Sequence, residues 1–137
     1  MSEQKINNQN PLISIKEFSD DSLLQIINSY GKGGFRIAKK SVIGAQFVLQ
    51  RQTLAWPVRT EQDISADELL SFLQDTDVDL LVLGLGEYPQ SHLPDIASAL
   101  RNEGIKLEVM STAAACRTWN VLLTEGRTAA AGLLAVE

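Results

Sequence analysis

The sequence predicts an α/β domain with three layers: a mixed β-sheet, helices packed on it, and a small antiparallel β layer from the N-terminal meander. Three observations predict this. The first half is a run of short apolar segments punctuated by glycines. The second half alternates helix-period and strand-period patterns three times. The segment "VDLLVLGLG" is almost uniformly apolar, as a strand covered on both faces requires.

The elements follow in order. Residues 1–11 are polar and read as a disordered tail, which leaves residues 12–137 as one domain. "LLQIINSYGKGGFRIAKKSVIGAQFVLQRQTLAWPV" reads as a meander, with Gly31, Gly33, Gly34 and the Lys39-Lys40 pair at its turns. Within it, "SVIGAQFVLQ" alternates as a single strand with one strongly apolar face carrying Ile43, Ala45, Phe47 and Leu49. "YGKGG" lacks the pattern of a phosphate loop and reads as a tight hairpin. "ISADELLSFLQDTD" opens with Ser65 and Glu68 at capping-box spacing and continues with a helical apolar stripe. After "VDLLVLGLG", the helix in "SHLPDIASALRNEG" stops at Gly104. "IKLEVM" is a short strand. "STAAACRTWNVLLTEG" is a helix capped by Ser111 or Thr112 and stopped by Gly126. "RTAAAGLLAV" is a last strand, small and apolar enough for the middle of the sheet.

Composition narrows the function classes. Net charge is −5 and no lysine-arginine stripe occurs, which excludes a nucleic-acid footprint. A single cysteine precludes an internal disulfide, and His92 is the only histidine. Cys, His and carboxylates do not cluster at metal-ligand spacing, so neither a metal nor a cofactor is expected. The apolar runs are too short for a transmembrane segment, and the polar "MSEQKINNQN" has no leader character. The expected location is cytoplasmic.

Candidate chemistry concentrates in "STAAACRTWNVLLTEGR". Thr112, Cys116 and Trp119 share one helix face, and Asn120 lies four residues after Cys116. The helix begins beyond the carboxyl end of "IKLEVM", where open α/β sheets place ligands. If "LLVLG" is the neighbouring strand, its exit at Gly84 and Gly86 faces the helix start. Ser111, Thr112, Cys116, Arg117 and Asn120 then line a crevice suited to an anion. Each residue also has a plainer reading. Cys116 is a small buried residue, Arg117 pairs with Glu125 or Glu108, and Asn120 fixes a loop. Trp119 belongs to the core, and Gly84 and Gly86 serve a strand exit that needs positive φ. Pro89 occupies the third glycine position of a dinucleotide fingerprint, which sets that motif aside.

The segment from Gly104 to Val136 resembles the signature of a family of uncharacterised bacterial and archaeal small α/β proteins. That family includes the mitochondrial respiratory complex I assembly factor 3. The resemblance rests on Gly104, Ile105, Met110, Thr112, Arg117, Thr118, Trp119, Asn120, Glu125, Gly126 and Arg127, with Trp56, Gly84 and Gly86 upstream. Leu85 stands where the family commonly has threonine between the two glycines, and Trp119 where it has Tyr or Phe. The resemblance implies a compact three-layer fold, no established catalytic activity, and action through protein contacts. A non-catalytic, assembly-factor-like module is therefore the leading expectation, with Phe47 and Trp56 in an exposed docking patch and an unidentified protein as partner. A small-ligand binder or enzyme using the Gly84–Pro89 and Ser111–Arg117 crevice is the alternative. A homo-oligomer is a third.

Overall fold

The computed structural model describes residues 24–137. The expected boundary near residue 11 lies outside them.

The meander forms five strands: β1 (Ile27–Gly31), β2 (Gly34–Ile37), β3 (Lys40–Ile43), β4 (Gln46–Val48) and β5 (Thr53–Ala55). A 3₁₀ turn (Glu61–Asp63) leads to helix α1 (Ala66–Leu73). Then come β6 (Leu80–Gly84), α2 (Pro94–Arg101), β7 (Lys106–Met110), α3 (Thr112–Thr124) and β8 (Ala129–Leu133). The alternation in the second half is the predicted one.

The meander does not stay in one sheet. β1, β2 and β3 form a three-stranded antiparallel sheet, while β4 and β5 join the main sheet in the order β5-β4-β8-β6-β7. The expected single strand across "SVIGAQFVLQ" is therefore broken at Gly44. Ile43 ends one sheet, and Gln46 starts a strand of the other. The buried Gln46 fixes this bend by donating from Nε2 to the carbonyls of Ile43 (3.1 Å) and Gly44 (3.3 Å).

β8 occupies the middle of the five-stranded sheet, antiparallel to β4 and parallel to β6. Strand alternation divides the core into two layers. Leu80, Val82, Ala129, Ala131 and Leu133 face α3 and the three-stranded sheet. Leu81, Leu83 and Ala130 face α1 and α2, together with Phe47 and Trp56. The three layers are thus a helix pair, the main sheet, and α3 beside the small sheet.

Phe47 and Trp56 form no surface patch. They are 0 % and 2 % exposed. Phe47 stacks on Phe72 (4.6 Å between ring centres) and meets Trp56 edge-on (6.2 Å). For Phe47, the interruption of the strand at Gly44 is the reason. It moves Phe47 out of a peripheral hairpin and into the strand next to β8. A Cβ on Gly132 would fall 2.9 Å from Trp56 Cζ3, so the indole lies directly over the central strand. Trp56 Nε1 donates to Glu68 Oε1 (3.1 Å). Ser65 does cap α1 through Glu68 N (3.3 Å), but the Glu68 carboxylate holds Trp56 rather than closing the capping box.

Candidate functional site

The two turns expected to meet do meet. β6 and β7 are parallel neighbours, with Gly84 beside Met110. The exit of β6 therefore lies against the start of α3. Ser111 caps α3 by accepting from Ala114 N (3.2 Å). Thr112 takes a different part. Its hydroxyl donates to Leu134 O (2.7 Å) and accepts from Gly86 N (2.9 Å). Its own N–H donates to Gly86 O (2.8 Å). One buried side chain thus ties α3 to the exits of both β6 and β8.

This seam is filled by protein. A Cβ on Gly84 would stand 2.8 Å from Thr112 Cα and 2.9 Å from Ala115 Cβ, so α3 rests directly on the strand end. Only Gly86 has positive φ, at 83°; Gly84 is required for close approach instead. Leu85 is buried with Phe47 and Trp56 in the α1/α2 layer, and its N–H donates to Met110 O (2.9 Å). An apolar side chain there packs; it faces no crevice.

Cys116 is 3 % exposed. Burial pushes its thiol up to about 12, and the nearby Arg117 charge offsets this only in part. A thiol held neutral in an apolar layer is no nucleophile at neutral pH. Arg117 is exposed, and Glu108 bridges Lys106 (3.5 Å) rather than Arg117.

Trp119 and Asn120 act together. Trp119 Nε1 donates to Gln25 O (2.8 Å). Asn120 accepts from Ile27 N (2.9 Å) and donates to Ile27 O (2.9 Å), so its amide pairs with the start of β1 as a strand would. These bonds, across more than ninety positions of sequence, lock the small sheet onto α3. They are not legible from spacing, because nothing in "LLQII" marks Gln25 and Ile27 as partners.

Glu125, Gly126 and Arg127 close α3. Gly126 has φ of 73°; its N–H donates to Leu123 O (3.1 Å), and Arg127 N donates to Leu122 O (3.0 Å). This is a Schellman stop, and it uses the backbone of the triplet while the Glu125 and Arg127 side chains remain exposed. Most of the proposed crevice residues are therefore consumed by structure: Thr112 and Cys116 are buried, and Ser111 and Asn120 are committed to backbone partners.

The most exposed large apolar side chain among the described residues lies elsewhere. Ile43, at the end of β3, is 89 % exposed. It stands between two shallow depressions. One passes Tyr30, Phe35 and Val42 on the small sheet. The other, of about 550 Å³, runs along Ala45, Ala55, Pro57 and Val58, with Arg59 at its rim.

Comparison with known proteins agrees with this architecture. The family model described as "Protein of unknown function (DUF498/DUF598)" matches residues 27–134. The chain belongs to that family. It is 37 % identical over 110 residues to NADH dehydrogenase (ubiquinone) 1 alpha subcomplex assembly factor 3 of Danio rerio, covering 80 % of this chain and 63 % of that protein. This chain thus spans somewhat less than two thirds of that relative's length. An uncharacterised protein of Rhodobacter capsulatus is 38 % identical over 109 residues, covering 79 % of this chain and 82 % of its own. A crystal structure from Bartonella henselae, of a protein described as an outer membrane protein, superposes with a TM-score of 0.70 at 34 % identity, covering 83 % and 97 % of the two chains. Among the described residues of the present chain, no helix is long and apolar enough to cross a membrane.

Proposed function

We propose that this domain is a non-catalytic, assembly-factor-like interaction module that engages a protein partner through the corner at Ile43. The observation that carries the reading is the near-complete exposure of a branched apolar side chain beside an apolar depression. Contiguous apolar surface left open to solvent is the kind of surface that protein-interaction sites expose. Two further facts support it. Relatives over most of this chain are named as assembly factors. The residues that most suggested chemistry are spent on internal bonds, and Cys116 is held as a neutral thiol.

The test uses Ile43→Asp. Tagged wild-type protein and the variant are used as baits in extracts of the source organism, with mass spectrometry of what is retained. A specific protein is expected on the wild type and lost from the variant, with the fold unchanged by circular dichroism. Equal recovery on both baits removes Ile43 from the interface. No reproducible partner on either removes the reading.

A further inference from the structure

Among the described residues the main sheet has one long free edge. β7 is its terminal strand, and among the described residues nothing pairs with its outer side. Lys106 N donates to Asp79 O (2.9 Å) and Met110 O accepts from Leu85 N (2.9 Å), so the backbone groups of Lys106, Glu108 and Met110 point toward β6. By strand alternation, those of Leu107 and Val109 point away from the sheet, free to bond another strand. The opposite edge is different. β5 has three residues and runs into Pro57, which has no N–H to offer.

We infer that the β7 edge pairs antiparallel with β7 of a second copy of this chain, about a two-fold axis at Leu107, so that the sheet runs on through both molecules. The charges select this arrangement. Lys106 and Glu108 lie on the same face of β7, two residues apart, and bridge each other at 3.5 Å. With the axis at Leu107, Lys106 of each copy sits opposite Glu108 of the other, giving two opposite-charge pairs. Moving the axis one residue sets Lys106 against Lys106, or Glu108 against Glu108, and like charges directly opposite are destabilising. A lysine on an edge strand ordinarily discourages pairing. Here the neighbouring glutamate makes the edge self-complementary in one register and repulsive in the two adjacent ones.

The surroundings suit a second strand. On one side of β7 a depression of about 470 Å³ runs past Thr118 and Leu122 of α3. On the other, one of about 610 Å³ runs past Ala97 and Arg101 of α2. Leu107 and Val109 are only half-buried, so pairing covers apolar surface as well. Each copy spends the β7 edge of its main sheet, so pairing through that edge stops at two. A contact built on five residues per copy is in the small class, below about 1,200 Å² in total, and is weak and concentration-dependent. The inference is independent of the role given to Ile43.

The experiment is sedimentation equilibrium of the full chain from about 10 μM to about 1 mM, with hydrogen exchange at both ends of that range. The wild type is expected to dimerise within this range, and the Leu107 and Val109 amides to gain protection with concentration. Lys106→Glu replaces both cross-pairs with like charges and is expected to weaken the dimer by about tenfold or more. Lys106→Glu combined with Glu108→Lys restores opposite signs across the axis and is expected to recover affinity. A strict monomer at the highest concentration overturns the inference, and so does a dimer indifferent to Lys106→Glu. Protection of Leu107 and Val109 that is the same at every concentration overturns it too, by assigning the edge to another segment of the same chain.

Discussion

Thr112 and Ile43 mark the two extremes of this molecule. Thr112 is 0 % exposed, and its hydroxyl and N–H bond three different backbone groups on two strand exits. Ile43 is 89 % exposed. The region around Thr112 is dense in residue types that do chemistry, and the fold consumes them. The region around Ile43 carries no motif at all, and the fold leaves it open. Reactive residue types in a sequence therefore mark a demand for polar satisfaction as readily as they mark a reaction. A buried hydroxyl or amide must find partners, and here the partners are backbone.

Perturbations at four residues sharpen this contrast. Trp119→Ala is the most severe. It empties a site 1 % exposed and removes the indole N–H bond to Gln25 O, so a loss of about 3–5 kcal/mol is expected in chemical denaturation. Exchange at β1 should rise with it, because the clamp on the small sheet is gone. Thr112→Val keeps the shape but strands Gly86 N and Leu134 O. A loss of about 2–4 kcal/mol is expected, with Thr112→Ser recovering most of it. A structurally idle Thr112 would show a valine variant as stable as the wild type.

Cys116 supplies a pH test. Its thiol is held at about 12 in the folded protein, against an ordinary 9.0. Below about pH 9 both states keep the proton, and Cys116 adds no pH dependence. As pH rises from 9 toward 12, the unfolded chain releases a proton that the native chain retains, so stability falls. The fall should be shallower in Cys116→Ala. Iodoacetamide at pH 8 should leave the native protein unmodified and label it once denatured; rapid native labelling would reopen the case for a reactive thiolate. The smallest effect belongs to Ile43→Asp. Replacing so exposed a side chain should change stability by no more than about 0.5 kcal/mol. A large loss there would make Ile43 a packing residue and weaken its role as an anchor.

Much of the second half was legible. Ser111 caps α3, Gly126 stops it, and β8 sits mid-sheet, each for the local reason its residues gave. The meander was legible as strands but not as two sheets. "SVIGAQFVLQ" alternates without a flaw, and periodicity carries no sign that the chain changes sheets at Gly44. That omission misplaced Phe47 and Trp56 at the surface. The meeting of the Gly84–Gly86 turn with α3 followed from sheet topology. Whether space would remain between them did not, because it depends on how closely Thr112 and Ala115 settle on a strand end without a Cβ.

Apart from the break at Gly44, the sequence by itself determined the elements, since capping, glycine stops and apolar periodicity act within a few residues along the chain. It also pointed to the family, through the segment from Gly104 to Val136, and the family model matches residues 27–134. Tertiary structure alone decided which polar groups are spent and which surfaces stay open. Asn120 on Ile27, Thr112 on Leu134 and Glu68 on Trp56 are contacts made in space between segments that local rules treat separately. Hydrogen-bond satisfaction and burial are properties of the packed molecule, and only there are the functional-looking side chains of α3 spent on structure while Ile43 is left open.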